Sequence, residues 1–126
     1  MRYALLAASL LTALPATVPA YAQSPGIEQA CVAVAKHFLL SPTLKTGVVQ
    51  SFPELDPPGA RLTYSTRQNP EPTDFNNEID CEFSKAQAPF QLKRFCISNT
   101  CYSSDEQDGD RKRRFEEVKA LMDRQK

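Results

Sequence analysis

The residues able to do chemistry in this chain are four cysteines, at positions 31, 81, 96 and 101, and a single histidine, His37. Four thiols can act as redox nucleophiles, as metal ligands or as two disulfides. A redox pair normally encloses two residues, the spacing that depresses one thiol pKa, whereas Cys96 and Cys101 enclose Ile97, Ser98, Asn99 and Thr100. Zinc is disfavoured because His37 and the cysteines show no paired ligand spacing, so neither a metal nor a cofactor is expected. Two disulfides remain, and with them an oxidising compartment.

His37 is the one side chain on which a histidine-assisted nucleophile could depend. It falls at the border of an apolar helical face, beside Phe38, where a structural edge residue is the expected role. Glu78, Asp80 and Glu82 share one face of a predicted strand and could imitate a carboxylate pair or a cation site, but solvent exposure explains their alternation with apolar neighbours. The run Arg111 to Arg114 would suit a polyanion, yet Asp105, Glu106, Asp108, Asp110, Glu116 and Glu117 flank it and cancel most of the charge. The whole chain of 126 residues balances 15 basic against 15 acidic side chains, which argues against nucleic acid as a partner. There is no glycine-rich phosphate loop and no Gly-x-Ser-x-Gly elbow. The sequence therefore predicts a protein that is not an enzyme. A small hydrolase using His37 and a carboxylate is the alternative from a different class.

Residues 1–22 carry the zones of a secretory signal: Arg2, an uncharged apolar run from Tyr3 to Leu14, breaks at Pro15 and Pro19, and the small-x-small site Ala20-Tyr21-Ala22. A spanning helix needs roughly 20 apolar residues and this run is shorter. Cleavage would leave residues 23–126 as a single domain with one excess acidic side chain, periplasmic or secreted and not inserted in a membrane.

The elements that must position these residues follow from period. Ser24-Pro25 reads as a helix cap followed by proline in the first turn. Ile27, Ala30, Cys31, Val34, Phe38 and Leu39 then recur on one helical face until Pro42 ends the helix. Val48 to Phe52 is a short β-type run. Ala60, Leu62, Tyr64 and Thr66 alternate with polar residues, and after the proline-rich turn 69–73 so do Phe75, Asn77, Ile79, Cys81 and Phe83. A hairpin placing Tyr64 opposite Ile79 and Leu62 opposite Cys81 would set Arg61 against Glu82 on the wet face. In the next strand, Phe90 to Ile97, the apolar parity switches, and a bulge near Lys93-Arg94 would reconcile it. Cys101-Tyr102 starts a short returning arm, and from about Arg111 the helical period returns in Phe115, Val118, Leu121 and Met122. The fold class is α+β: an N-terminal helix, a three- to four-stranded antiparallel meander and a C-terminal helix, stapled by disulfides.

Cys31 lies on the inner face of the first helix and Cys81 on the apolar face of its strand, which favours a bridge from helix to sheet. Cys96 with Cys101 then suits a tight hairpin. Cys81 with Cys96 and Cys31 with Cys101 is the rival pairing, open if those strands are neighbours in that register.

The segments Leu39-Leu40-Ser41-Pro42-Thr43, Tyr64-Ser65-Thr66-Arg67-Gln68-Asn69 and Cys81-Glu82-Phe83 resemble small exported bacterial proteins of uncharacterised function, in which a Cys-bearing helix ends in a Leu-x-Ser-Pro-Thr-like motif and a later strand carries Cys-x-Phe. The likeness spans about residues 28–83. It departs at Asn69, which Pro70-Glu71-Pro72 follows in place of a glycine-containing turn. It implies an exported α+β fold with Cys31 bonded to Cys81, and no catalytic residue. The functional expectation is a small binding or accessory protein, a monomer, contacting another envelope or extracellular protein. The contact would lie on the wet strand face (Arg61, Thr63, Arg67, Glu78, Glu82) or at the 69–73 turn. An inhibitor of a protease or lysozyme, inserting the 53–59 or the 69–73 loop, is the alternative.

Overall fold

Ser24 caps the first helix as its place before Pro25 predicts: its hydroxyl accepts from the Ile27 N–H at 3.4 Å, and α1 runs over Pro25–Leu39. The computed structural model describes residues 23–41 and 43–124, with residue 12. The expected leader falls outside these but for that one residue, as does Pro42. Beyond α1 come β1 (Lys45–Phe52), β2 (Gly59–Ser65), a 3-10 turn (Pro72–Asp74), β3 (Asn77–Phe83), β4 (Leu92–Ile97), β5 (Thr100–Ser103) and α2 (Gly109–Asp123).

The strands form one antiparallel sheet in chain order, β1-β2-β3-β4-β5. Five strands stand where three or four were expected. The extra strand is the returning arm: Ser98 and Asn99 make a two-residue turn, Ser98 with φ of 55°, so that Thr100 faces Ile97 and a full ladder forms to Ser103. β1 is also longer than its apolar run, because a bulge between Thr46 and Val49 lets Lys45 and Thr46 pair as well.

Both helices lie on one side of the sheet, α1 against β1, β2 and β3, and α2 against β4 and β5. Ile27, Cys31 and Val34 of α1 and Phe115 and Val118 of α2 are buried there against Leu62, Ile79, Cys81, Phe83 and Phe95. Burying an aliphatic or aromatic side chain contributes roughly 1.5–3 kcal/mol, so this layer dominates stability. Phe95 forms its centre, stacked on Tyr102 at 5.0 Å and edge-on to Phe38 at 5.3 Å. Ser51, buried beneath the start of α1, is satisfied by the Ser24 N–H donating to its hydroxyl at 2.6 Å and by its own N–H donating to Gln23 Oε1 at 2.8 Å.

The parity switch in β4 is resolved by a bulge at the expected place. Phe83 faces Leu92 and Glu82 faces Arg94, so Lys93 is the additional residue. The β2–β3 register differs from expectation. Leu62 faces Ile79, Ala60 faces Cys81, and Arg61 faces Asp80 rather than Glu82. A slip of two residues leaves every side chain on its own face, so apolar alternation cannot distinguish the two registers.

Candidate functional site

The C-terminal turn of α1 and two adjacent stripes of α2 enclose a cleft of about 520 Å³. Arg114, Val118 and Leu121 form one stripe at helical spacing, and Arg113, Glu117, Ala120 and Arg124 form the next. His37, Phe38 and Leu40 form the opposite wall. The size lies in the range of small-ligand and side-chain pockets, roughly 300–1,000 Å³.

Arg114 joins the walls. Its Nη2 donates to the Phe38 carbonyl at 3.1 Å, satisfying an acceptor in the last turn of α1, and its guanidinium lies 4.3 Å from the Phe38 ring centroid. The basic run thus divides by helical geometry. Arg111 pairs with Glu106 at 3.3 Å, Arg113 with Asp110 at 3.3 Å, and Arg114 turns inward to α1. Arg113 is paired with Glu117 at 3.8 Å as well as with Asp110, so the positive charge left in the cleft lining is that of Arg114 and Arg124.

Leu40 stands at the rim. It caps α1 in the left-handed region, φ 50° and ψ 35°, its N–H donating to the Lys36 carbonyl at 3.0 Å, and it is 77% exposed. Left-handed geometry costs a residue bearing a Cβ roughly 1–2 kcal/mol, which glycine at that position would avoid. The cap thus holds a large apolar side chain in solvent at the cleft rim, at a cost in backbone strain. His37 lines the cleft and an adjoining hollow; its Nε2 is buried, with no hydrogen-bond partner among the described residues. The carboxylate sharing the cleft with it is Glu117.

The wet face of the sheet brings together some of the sequence-predicted surface and separates the rest. Arg61 Nε lies 2.7 Å from Asp80 Oδ1 and 3.2 Å from Glu78 Oε1, with Thr63 facing Glu78 in the ladder. The hydrogen bond to Asp80, and then the charges of Asp80 and Glu78, hold the Arg61 pKa above its ordinary value. Thr63 is further occupied by the Val48 N–H, which donates to its hydroxyl at 2.9 Å. Glu82 lies farther along, opposite Arg94. Arg67 sits beyond the end of β2, bound to Asp74 at 3.1 Å. Arg61 thus holds two of the three carboxylates of the acidic stripe, Glu78 and Asp80.

All four cysteines are paired as favoured, Cys31 with Cys81 and Cys96 with Cys101. The first bridge is buried between α1 and β3. The second crosses β4 and β5 on the open face, both its cysteines part-exposed. Two disulfides point to an oxidising, non-cytoplasmic compartment. Among the described residues no group of three or more His, Cys, Asp or Glu could hold a metal ion, and no helix is long and apolar enough to cross a membrane.

Comparison with known protein families, with curated proteins and with solved structures finds no match. What the molecule does is to be read from its own surfaces.

Sequence reasoning missed the cleft. Its walls are 76 residues apart at the Arg114–Phe38 contact, and no local spacing announces such a meeting. The available signal was the order Leu39-Leu40-Ser41: an apolar residue where a helix ending in a left-handed cap would ordinarily place glycine.

Proposed function

We propose that this chain is a small exported, non-enzymatic binding module of the periplasm or extracellular medium, and that it holds a segment of another envelope protein in the cleft between α1 and α2. Exposed Leu40 on the rim of an apolar cleft lined by Arg113, Arg114 and Arg124 is the observation that carries this reading. The complementary segment is aliphatic with a carboxylate beside it, so that the apolar part covers Leu40 and Leu121 while the acid meets Arg124. The wet sheet face is less suited to be the primary contact, because Arg61 is already engaged by Asp80 and Glu78, whereas Arg124 in the cleft has no ion pair among the described residues.

The experiment is retention of envelope proteins on the immobilised, oxidised protein, compared with Leu40→Asp and Arg124→Glu. Both side chains are exposed, so the variants keep the fold. A saturable partner whose affinity drops about tenfold or more in each variant is expected, the loss of a contact worth about 1.4 kcal/mol. Equal retention by the variants, or no saturable partner, overturns the assignment.

A second reading, inhibition of a protease or lysozyme, is favoured by one observation. Leu55 is 60% exposed in the loop between β1 and β2, with Pro53 on one side and Pro57 and Pro58 on the other. Prolines restrict such a loop before binding and lower the entropy lost on insertion. Inhibition of a lysozyme or serine protease, abolished by Leu55→Asp and unaffected by Leu40→Asp, would establish this reading in place of the cleft.

A further inference from the structure

The two disulfides have opposite surroundings. Cys31 and Cys81 are at most 1% exposed, enclosed by the layer between α1 and the sheet. Cys96 and Cys101 lie directly opposite one another on the open face, in the hairpin that ends the sheet. Part-exposed cysteines at a sheet margin are the ones a dissolved thiol can approach.

The two sulfurs of this bridge are also unlike each other. Arg94 Nη2 donates to Cys101 Sγ at 3.3 Å, and Cys101 with Arg94, Lys93 and Ser103 lines a recess of about 630 Å³. Cys96 faces Asp80 across the β3–β4 ladder, a carboxylate whose Oδ1 is already held by Arg61. A guanidinium stabilises a thiolate beside it and a carboxylate does not, so negative charge is better accommodated on Cys101. Glu82, which faces Arg94 in the ladder, Asp105 and Glu106 share the recess; Arg111 pairs with Glu106 at 3.3 Å, and Lys93 offsets part of the remaining acidity.

We propose that Cys96–Cys101 is a thiol-exchange site for a low-molecular-mass thiol, which attacks Cys96 while Cys101 departs as a thiolate held by Arg94. In the first step the thiolate R–S⁻ forms a bond to Cys96 Sγ as the Cys96–Cys101 bond breaks. The electron pair of the broken bond goes to Cys101 Sγ. The product is a mixed disulfide at Cys96 and a thiolate at Cys101, one disulfide exchanged for another. A second thiol attacking the external sulfur of the mixed disulfide releases R–S–S–R and leaves both cysteines reduced, the two thiols having supplied two electrons. The hairpin outlasts the exchange, since the Arg94–Ser103, Phe95–Tyr102 and Ile97–Thr100 pairings and the Phe95–Tyr102 stack do not require the bridge.

The test exposes the oxidised protein to reduced glutathione, quenches with iodoacetamide at early times and locates adducts by peptide mass mapping. Glutathione on Cys96 with alkylated Cys101, and an intact Cys31–Cys81 bridge, is the expected result. Arg94→Gln should open roughly three- to tenfold more slowly and spread the adduct over both cysteines. This is the direction expected when the departing thiolate loses the cation beside it, since a less acidic thiol leaves more slowly. Arg94→Lys should recover part of the rate. Circular dichroism of the variants verifies that the fold is retained. Adduct mainly on Cys101, an unchanged rate in folded Arg94→Gln, failure of the bridge to open, or Cys31–Cys81 opening as fast would each overturn the proposal.

Discussion

The guanidinium of Arg114 lies 4.3 Å from the centre of the Phe38 ring while donating at 3.1 Å to the carbonyl of the same residue, so one side chain of α2 fastens both the ring and the backbone of the last turn of α1. Phe38 in turn packs on Phe95 and Tyr102, which links the cleft to the aromatic centre of the sheet. A hydrogen bond from a charged donor contributes about 1.5–3 kcal/mol and a cation–π contact about 0.5–1. Because Arg114 is only half-buried, Arg114→Ala is expected to lose about 1–2 kcal/mol and Arg114→Lys about half of that. Urea unfolding midpoints measure both, and a midpoint unchanged in Arg114→Ala would show that the contact contributes nothing.

The disulfides should contribute unequally. In the chain-entropy view, the loop of 50 residues closed by Cys31–Cys81 is worth roughly 4 kcal/mol and the loop of five closed by Cys96–Cys101 roughly 2. Removing both cysteines of a pair by substitution to alanine, followed by denaturant unfolding, should give losses in that order. The buried pair also gives up packing, which widens the gap.

Gly59 and Gly26 make a matched comparison. A Cβ on Gly59 would overlap the carbonyl oxygen of Cys81, a backbone atom fixed in the β2–β3 ladder. A Cβ on Gly26 would come 2.8 Å from the Phe90 ring, a half-buried side chain able to shift. Gly59→Ala is therefore expected to destabilise by about 1–3 kcal/mol through overpacking. Gly26→Ala, which also gains helix propensity, should be close to neutral. Thermal melts of the two variants decide, and equal effects would contradict the ladder argument.

Two shifted groups make stability depend on pH at opposite ends of the scale. Asp74 is held below the ordinary carboxylate range by the Glu71 N–H, which donates to Oδ2 at 2.8 Å, with Arg67 adding to this against partial burial. Its contribution is complete above the unfolded value of about 3.9 and disappears as pH falls through the lower folded value. The stability gap between the native protein and Asp74→Asn should accordingly close as urea midpoints are taken from pH 5 to pH 2. Burial pushes the Tyr64 phenol up, so above about pH 10 the unfolded chain ionises where the folded one resists. Stability present below that pH is lost above it, and Tyr64→Phe should flatten the alkaline limb.

The parts of the fold legible in the chain are those written locally. Ser24-Pro25 announces a capped helix, the parity switch between Leu92 and Phe95 announces a bulge, and the facing of Cys31 and Cys81 favours their pairing. Arg61 marks the boundary of that legibility. Both Glu82 and Asp80 satisfy the face rule, and in the observed register Arg61 meets Asp80 while Gly59 comes close to the Cys81 carbonyl, a contact between backbones that no alternation of side chains reveals. The cleft lies past the boundary altogether. The direction of Arg114 toward Phe38 depends on the packing of two helices across the sheet, which neither helix encodes alone.

Each cysteine is joined to the next one along the chain, the first to the second and the third to the fourth. A nascent polypeptide oxidised in the order in which its thiols emerge would arrive at this pairing directly, and an isomerase would have nothing to correct. Some fifty residues separate Cys31 from Cys81, its partner and the next thiol to emerge, so oxidation in order of emergence leads to the native pair. Maturation of this protein should consequently depend on a dithiol oxidase and be indifferent to loss of disulfide reshuffling.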